Sequence, residues 1–300
     1  MAPLAVGRAQ GPSRAAAVRL DSLKRSIGRR IAEVKDATVG VAFRDLGTGD
    51  TLYLNADDSF HAASTMKVPV MIELFRRVDA GTLSLDRPVP LANEFSSIVD
   101  ASPFSLNPAD DSDSSAYLRV GQQVPLRELI DRMITRSSNL ATNALIELVG
   151  AKNANATAHQ LGARNIKVLR GVEDDKAFRA GLNNTTTARD LAVLLEAIET
   201  GRAASRASCD SMRAILLQQE FNDEIPAGLP SGVKVAHKTG WITGVLHDAA
   251  LVYPPNAKPY VLVVLTRDIP DQTVARALIA DVSRLVYGYV SSSRGASGLR

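Results

Sequence analysis

Apolar residues recur at helical spacing from residue 18 to 35 (Val18, Leu20, Leu23, Ile27, Ile31, Val34), which predicts an amphipathic helix lying on a sheet. Thr38 to Arg44 alternates instead around β-branched residues. With turn residues from Leu46 to Asp50 and a return over Thr51 to Asn55, it predicts an early hairpin. Helical spacing resumes at Ser64 (Val68, Met71, Ile72, Phe75, Val78) and is closed by Gly81; Pro69 requires that helix to start close to Ser64. Asn93 to Arg119 is long, polar and loop-like, the kind of segment that forms a rim or cover. Pro125 suits the first turn of a helix carrying Leu126, Leu129, Ile130, Met133 and Ile134. Arg136 to Asn139 is a polar break before a second apolar helix that ends at Gly150. Residues 151 to 168 predict a short helix and an extended piece, and Arg170 to Asn184 is again a polar loop. Thr187 to Asp190 is a capping signal for a helix ending at Gly201, and Ala207 to Glu220 predicts another. Val233 to Thr239, Leu246 to Tyr253 and Tyr260 to Thr266 then read as strands, with turns at Trp241 to Gly244 and Pro254 to Pro259, before a closing helix over Asp271 to Tyr289.

A strand pair, a long helical insertion, three strands and a final helix imply an α/β (α+β) fold. Its centre is a five-stranded antiparallel sheet flanked by helices, with an inserted all-helical domain beside it. The expected division is a flexible leader over 1–17, a discontinuous α/β domain from 18–63 plus 205–290, an all-helical domain over 64–204, and a frayed tail over 291–300.

Composition narrows function mainly by exclusion. The 300 residues are 45% hydrophobic and can fill a core, while a net charge of +3 without basic runs argues against a nucleic-acid partner. One cysteine, Cys209, excludes an internal disulfide, and the four histidines lack metal-ligand spacing, so neither metal nor cofactor is expected. Apolar runs are too short for a membrane span, and residues 1 to 17 lack the continuous apolar stretch of a signal peptide.

Ser64 and Lys67 stand three apart, where a helix puts both side chains on one face; a desolvated lysine there can take the serine's proton. The helix start adds free N–H groups and the positive dipole end, which suit an anionic intermediate. Ser231 and Lys234 repeat the spacing on a predicted strand, where the two side chains point to opposite faces, so that pair fails.

Ser64 to Lys67, Ser137 to Asn139, and Lys238, Thr239, Gly240 together reproduce, in order, the SxxK, SxN and KTG signatures. Over roughly residues 20 to 290 the chain resembles the class A serine β-lactamases and the related penicillin-binding proteins. Ser105 to Asn107 is a decoy for the middle signature, and Ser138 stands where class A usually carries aspartate. The resemblance implies a β-lactam hydrolase working through a Ser64 acyl-enzyme on a small-molecule β-lactam or peptidoglycan-like substrate, as an exported monomer. D,D-peptidase, transpeptidase or esterase activity, or a penicillin sensor that acylates without turnover, remain open alternatives. By the same resemblance Lys67 is the base, held deprotonated with help from Lys238, and Ser137 relays a proton to the leaving nitrogen. Asn139 binds the substrate amide, Lys238 and Thr239 its carboxylate, and the N–H groups of Ser64 and Trp241 form the oxyanion hole. His247 stands where an arginine often reaches the carboxylate, and is expected to take part of that role when protonated. Glu173, ahead of Asp174 and Asp175, is the expected base for deacylation, in a loop whose lack of proline gives it a different shape from the class A pattern.

Overall fold

The computed structural model describes residues 14–255 and 257–295. The hairpin strands β1 (Thr38–Asp45) and β2 (Thr51–Leu54) come first. Short pairs are formed by β3 (Phe60–His61) with β8 (Thr185–Thr186), β4 (Pro88–Pro90) with β7 (Gln123–Pro125), and β5 (Phe95–Ser96) with β6 (Pro103–Phe104). The late strands are β9 (Lys234–Ile242), β10 (Val245–Tyr253) and β11 (Tyr260–Arg267). The main sheet has the order β2-β1-β11-β10-β9, with every neighbouring pair antiparallel, so β9 lies on an edge.

Alternation along the strands sorts side chains to two faces. Val39, Val41 and Phe43 of β1 and Tyr260, Leu262 and Val264 of β11 face one apolar cluster, which also holds Leu23 and Ile27 of α1 (Arg14–Ala32) and Leu278, Ile279 and Val282 of α9 (Gln272–Gly295). Ala42, Val261, Val263 and Leu265 face the opposite cluster, continuous with the helices α2 (Lys67–Asp79), α3 (Leu126–Thr135), α4 (Asn139–Val149), α5 (Ala151–Gln160), α7 (Ala188–Glu199) and α8 (Arg206–Leu216). Helix α2 is buried on all sides from Lys67 to Phe75, as a central helix should be. Helix α7 lies directly against β1, β10 and β11, so the helical insertion and the sheet share one interior.

Several boundaries differ from the sequence reading. Residues 14–17, expected in the leader, already belong to α1, and residues 291–295, expected in the tail, continue α9; residues 1–13 and 296–300 lie outside the described residues. Strand β9 runs through Trp241 and Ile242, leaving Thr243 and Gly244 to make the turn, with Gly244 at φ 73°. Pro125 caps α3 rather than lying within it. Among the described residues no helix is long and apolar enough to cross a membrane.

Candidate active site

Ser64 sits in a single 3-10 turn, Ala63–Met66, that leads directly into α2. The turn presses on β9 where Gly240 has no side chain. A Cβ there would stand 2.9 Å from the backbone N of Ser64 and 3.0 Å from that of Thr65, so only glycine admits this approach without displacing backbone. Ala63 adopts φ 44°, Ser137 φ 59° and Glu173 φ 60°, conformations disfavoured for residues with a Cβ. Three such residues around one cleft are the kind of strain that accumulates at functional sites.

Lys67 is completely buried and donates to the Ser137 carbonyl at 2.6 Å, to Ser137 Oγ at 3.2 Å and to Asn139 Oδ1 at 2.9 Å. Lys238 Nζ reaches the same Ser137 Oγ at 3.0 Å and the Thr239 carbonyl at 3.0 Å. Asn139 Nδ2 donates to Glu173 Oε1 at 2.6 Å, so a single side-chain amide joins Lys67 to Glu173. The Ser64 side chain faces a cleft of about 680 Å³ also lined by His61, Asn139, Glu173, Phe178 and Trp241.

Burial lowers the Lys67 amine from 10.5 to about 7, against the opposing pull of Asp111 and Glu173. Lys238 shares the site, and its own affinity for a proton is lowered first by burial and then by Lys67; the repulsion between the two amines is mutual, so it acts alongside burial. Burial also raises the Glu173 carboxyl, with Asp111 and Asp110 adding to the rise while the Asn139 hydrogen bond and Lys67 oppose it. A poor cation and a poor anion thus face each other through one amide, the pattern that suits a pair of proton acceptors near neutrality.

The sheet places Trp241 usefully for its backbone. Thr266 Oγ1 bonds both the N–H (3.3 Å) and the carbonyl (2.8 Å) of Leu246, so Leu246 turns its backbone groups toward β11. Leu246 is the partner of Trp241, which leaves the Trp241 N–H directed away from β10, at the open edge of β9. The indole itself is 49% exposed and forms part of the cleft wall.

Of the predicted site residues, Ser64, Asn139, Glu173 and Trp241 line the cleft, whereas Lys67, Ser137, Lys238, Thr239 and His247 are buried and do not. His247 lies on the same sheet face as Lys238, but β3 covers it: its Nε2 donates to the His61 carbonyl at 2.8 Å and its ring meets Phe60 edge-on at 5.9 Å. Burial lowers it to about 4, so it is neutral at pH 7 and cannot offer the expected cationic contact. An imidazole is too short to reach past the covering strand. Asp248 points to the opposite face and pairs with His237 Nδ1 at 2.9 Å, both fully buried.

Several participants carry no sequence signal. Arg170 ties its loop shut by donating to the carbonyls of Leu182 (2.9 Å) and Gly171 (3.0 Å) and to Asn183 Oδ1 (3.0 Å). Asn143 holds Val172 at both its N–H (2.7 Å) and its carbonyl (3.0 Å), fixing the residue before Glu173. His61 lines the cleft and accepts from the Ala63 N–H at 3.1 Å. Asp111 accepts from the Asn139 and Leu140 N–H groups, each at 2.9 Å. Among the described residues no group of three or more His, Cys, Asp or Glu side chains is arranged to hold a metal ion.

Residues 22–290 match the model of the Beta-lactamase enzyme family. Beta-lactamase AST-1 of Nocardia asteroides is 30% identical over 265 residues, covering 86% of this chain and 81% of that protein. A solved structure of PBP-A superposes with a TM-score of 0.78 at 30% identity, covering 90% of this chain and 96% of that one. A β-lactamase structure from Sphaerobacter thermophilus gives a TM-score of 0.72 at 28% identity, covering 90% and 95%.

Proposed function

Because the chain belongs to the Beta-lactamase enzyme family, we propose that its β-lactam hydrolysis runs through an acyl-enzyme on Ser64. It is a hydrolase of class A type. Neutral Lys67 takes the Ser64 proton as Oγ attacks the lactam carbonyl, and the oxyanion that forms is met by the N–H groups of Ser64 and Trp241. As the C–N bond breaks, Ser137 Oγ passes a proton to the lactam nitrogen and is resupplied by Lys67. Lys238 and Thr239 receive the substrate carboxylate. An anion arriving there favours the ammonium form of Lys238, which burial disfavours in the free protein. Glu173 then takes a proton from the water that attacks the ester, and as the ester C–O bond breaks that proton passes from Glu173 through Lys67 to the departing Ser64 oxygen, which restores the Glu173 carboxylate and neutral Lys67.

The observation that carries this reading is the convergence of Lys67 and Lys238 on Ser137 Oγ, at 3.2 and 3.0 Å. The Asn139 bridge to Glu173 favours turnover over a sensor that stops at the acyl stage. Intact-mass spectrometry combined with turnover of a chromogenic cephalosporin tests it. Ser64→Ala should abolish both adduct and turnover, and Glu173→Gln should accumulate the adduct. A wild-type adduct that persists without turnover refutes hydrolysis, and no adduct at all refutes acylation.

A further inference from the structure

The turn from Ser137 to Asn139 holds both partners of the Lys67 amine, yet its middle residue cannot anchor it with a charge. Ser138 Oγ accepts only the Ala141 N–H, at 3.3 Å, as the cap of α4. The first two N–H groups of that helix are taken by a carboxylate from elsewhere. Asp111, in the polar loop between β6 and α3, accepts from Asn139 N and Leu140 N at 2.9 Å each, both through Oδ2. Tyr117 donates to the same oxygen at 3.1 Å, and the Asp113 N–H donates to Oδ1 at 2.9 Å. Asp111 is 7% exposed, so this is a buried anion with four donors, a strong arrangement for a charged acceptor.

We infer that Asp111 is a positioning residue of this active site: it holds Asn139 by its backbone so that the Asn139 amide can join Lys67 to Glu173. The inference rests on the reading of Lys67 as the acylating base. It explains how the turn keeps its geometry with serine at position 138. It also makes the loop over residues 93–119 a part of the catalytic centre rather than a rim.

The charges that meet at Lys67 come from four elements: Lys67 itself on α2, Lys238 on β9, Glu173 in the loop before Asp175, and Asp111 in the polar loop, whose neighbour Asp110 acts on Glu173. Asp111 and Glu173 both favour the ammonium form of Lys67. Asp113 is engaged elsewhere, by Arg132 at 2.7 Å. Removing the Asp111 charge therefore eases loss of the Lys67 proton, while removing its hydrogen bonds loosens Asn139. These two effects separate in the pH profile.

The test is kcat/KM for a chromogenic cephalosporin from pH 5 to 9 on the full chain, for the wild type, Asp111→Asn, Asp111→Ala and Lys67→Ala. Asp111→Asn should move the acid limb to lower pH. Asp111→Ala should do the same and also lower the plateau on the order of 10-fold to 100-fold, as expected for misplaced catalytic groups. A role confined to folding would lower activity or Tm without moving the limb. An acid limb unmoved in Asp111→Asn, or a wild-type plateau in a folded Asp111→Ala, overturns the inference. If Asp111→Ala does not fold, the limb of Asp111→Asn decides alone. A limb that survives in Lys67→Ala, with acylation followed by intact mass, refutes the base assignment instead, so the two failures are distinguishable.

Discussion

Glu224 is a buried carboxyl on the far side of the sheet from the cleft, 3% exposed, with Oε2 making no hydrogen bond among the described residues. Burial, then the nearby Asp248 charge, raises it from 4.5 to about 7, with Arg276 and His237 opposing. The folded carboxyl therefore holds its proton more tightly than the unfolded one, so its contribution to stability is fully present below pH 4.5 and lost as pH rises through about 7. That rise corresponds to at most about 3 kcal/mol. With an unfolding entropy of about 2.1 cal/mol/K per residue, a chain this long converts it to about 5 °C in Tm. Glu224→Gln imitates the protonated form at every pH. Calorimetry from pH 4.5 to 8.5 should show the variant close to wild type at the acid end and up to about 5 °C more stable at the alkaline end. A Tm difference that stays constant with pH would refute the reasoning, because a packing change has no reason to titrate.

Gly240→Ala should displace the Ser64 turn, since its Cβ would meet backbone at 2.9 Å; acylation measured by stopped-flow should fall on the order of 100-fold, with a small change in Tm. Gly171→Ala would bring a Cβ to 2.5 Å from Asn143 Oδ1 and dislodge the side chain that holds Val172. Deacylation should then slow more than acylation, and quenched-flow mass spectrometry should find acyl-enzyme accumulating. Thr187→Ala removes the cap that accepts the Asp190 N–H at 3.0 Å and should cost about 1 kcal/mol in urea unfolding, with activity unchanged.

What could be read in the sequence was what depends on local spacing. Ser64 and Lys67 share a short segment, and the alternation of β1 and β11 assigns their side chains to faces without knowledge of the partners. Register and long-range contact were not legible. His237 and Asp248 meet because β9 and β10 pair with Ala250 opposite His237, a pairing no local pattern fixes. The resemblance sets His247 where an arginine often reaches the substrate carboxylate, but the cover supplied by Phe60 and His61 is a tertiary fact. Asp111 is one acid among several in a polar loop, and only the fold brings the start of α4 against it.

The single apolar interior shared by the helices and one sheet face has a consequence for how the protein breathes. Lys67 and the residues after it are sealed within that interior, so their backbone amides can meet solvent only when the whole assembly opens. Hydrogen exchange along α2 should therefore report global unfolding, whereas the Glu173 loop, bordering the cleft and tied by a few polar contacts, should exchange through smaller openings. The first half of the reaction is then built on the most durable part of the molecule, and the second half on a more yielding one.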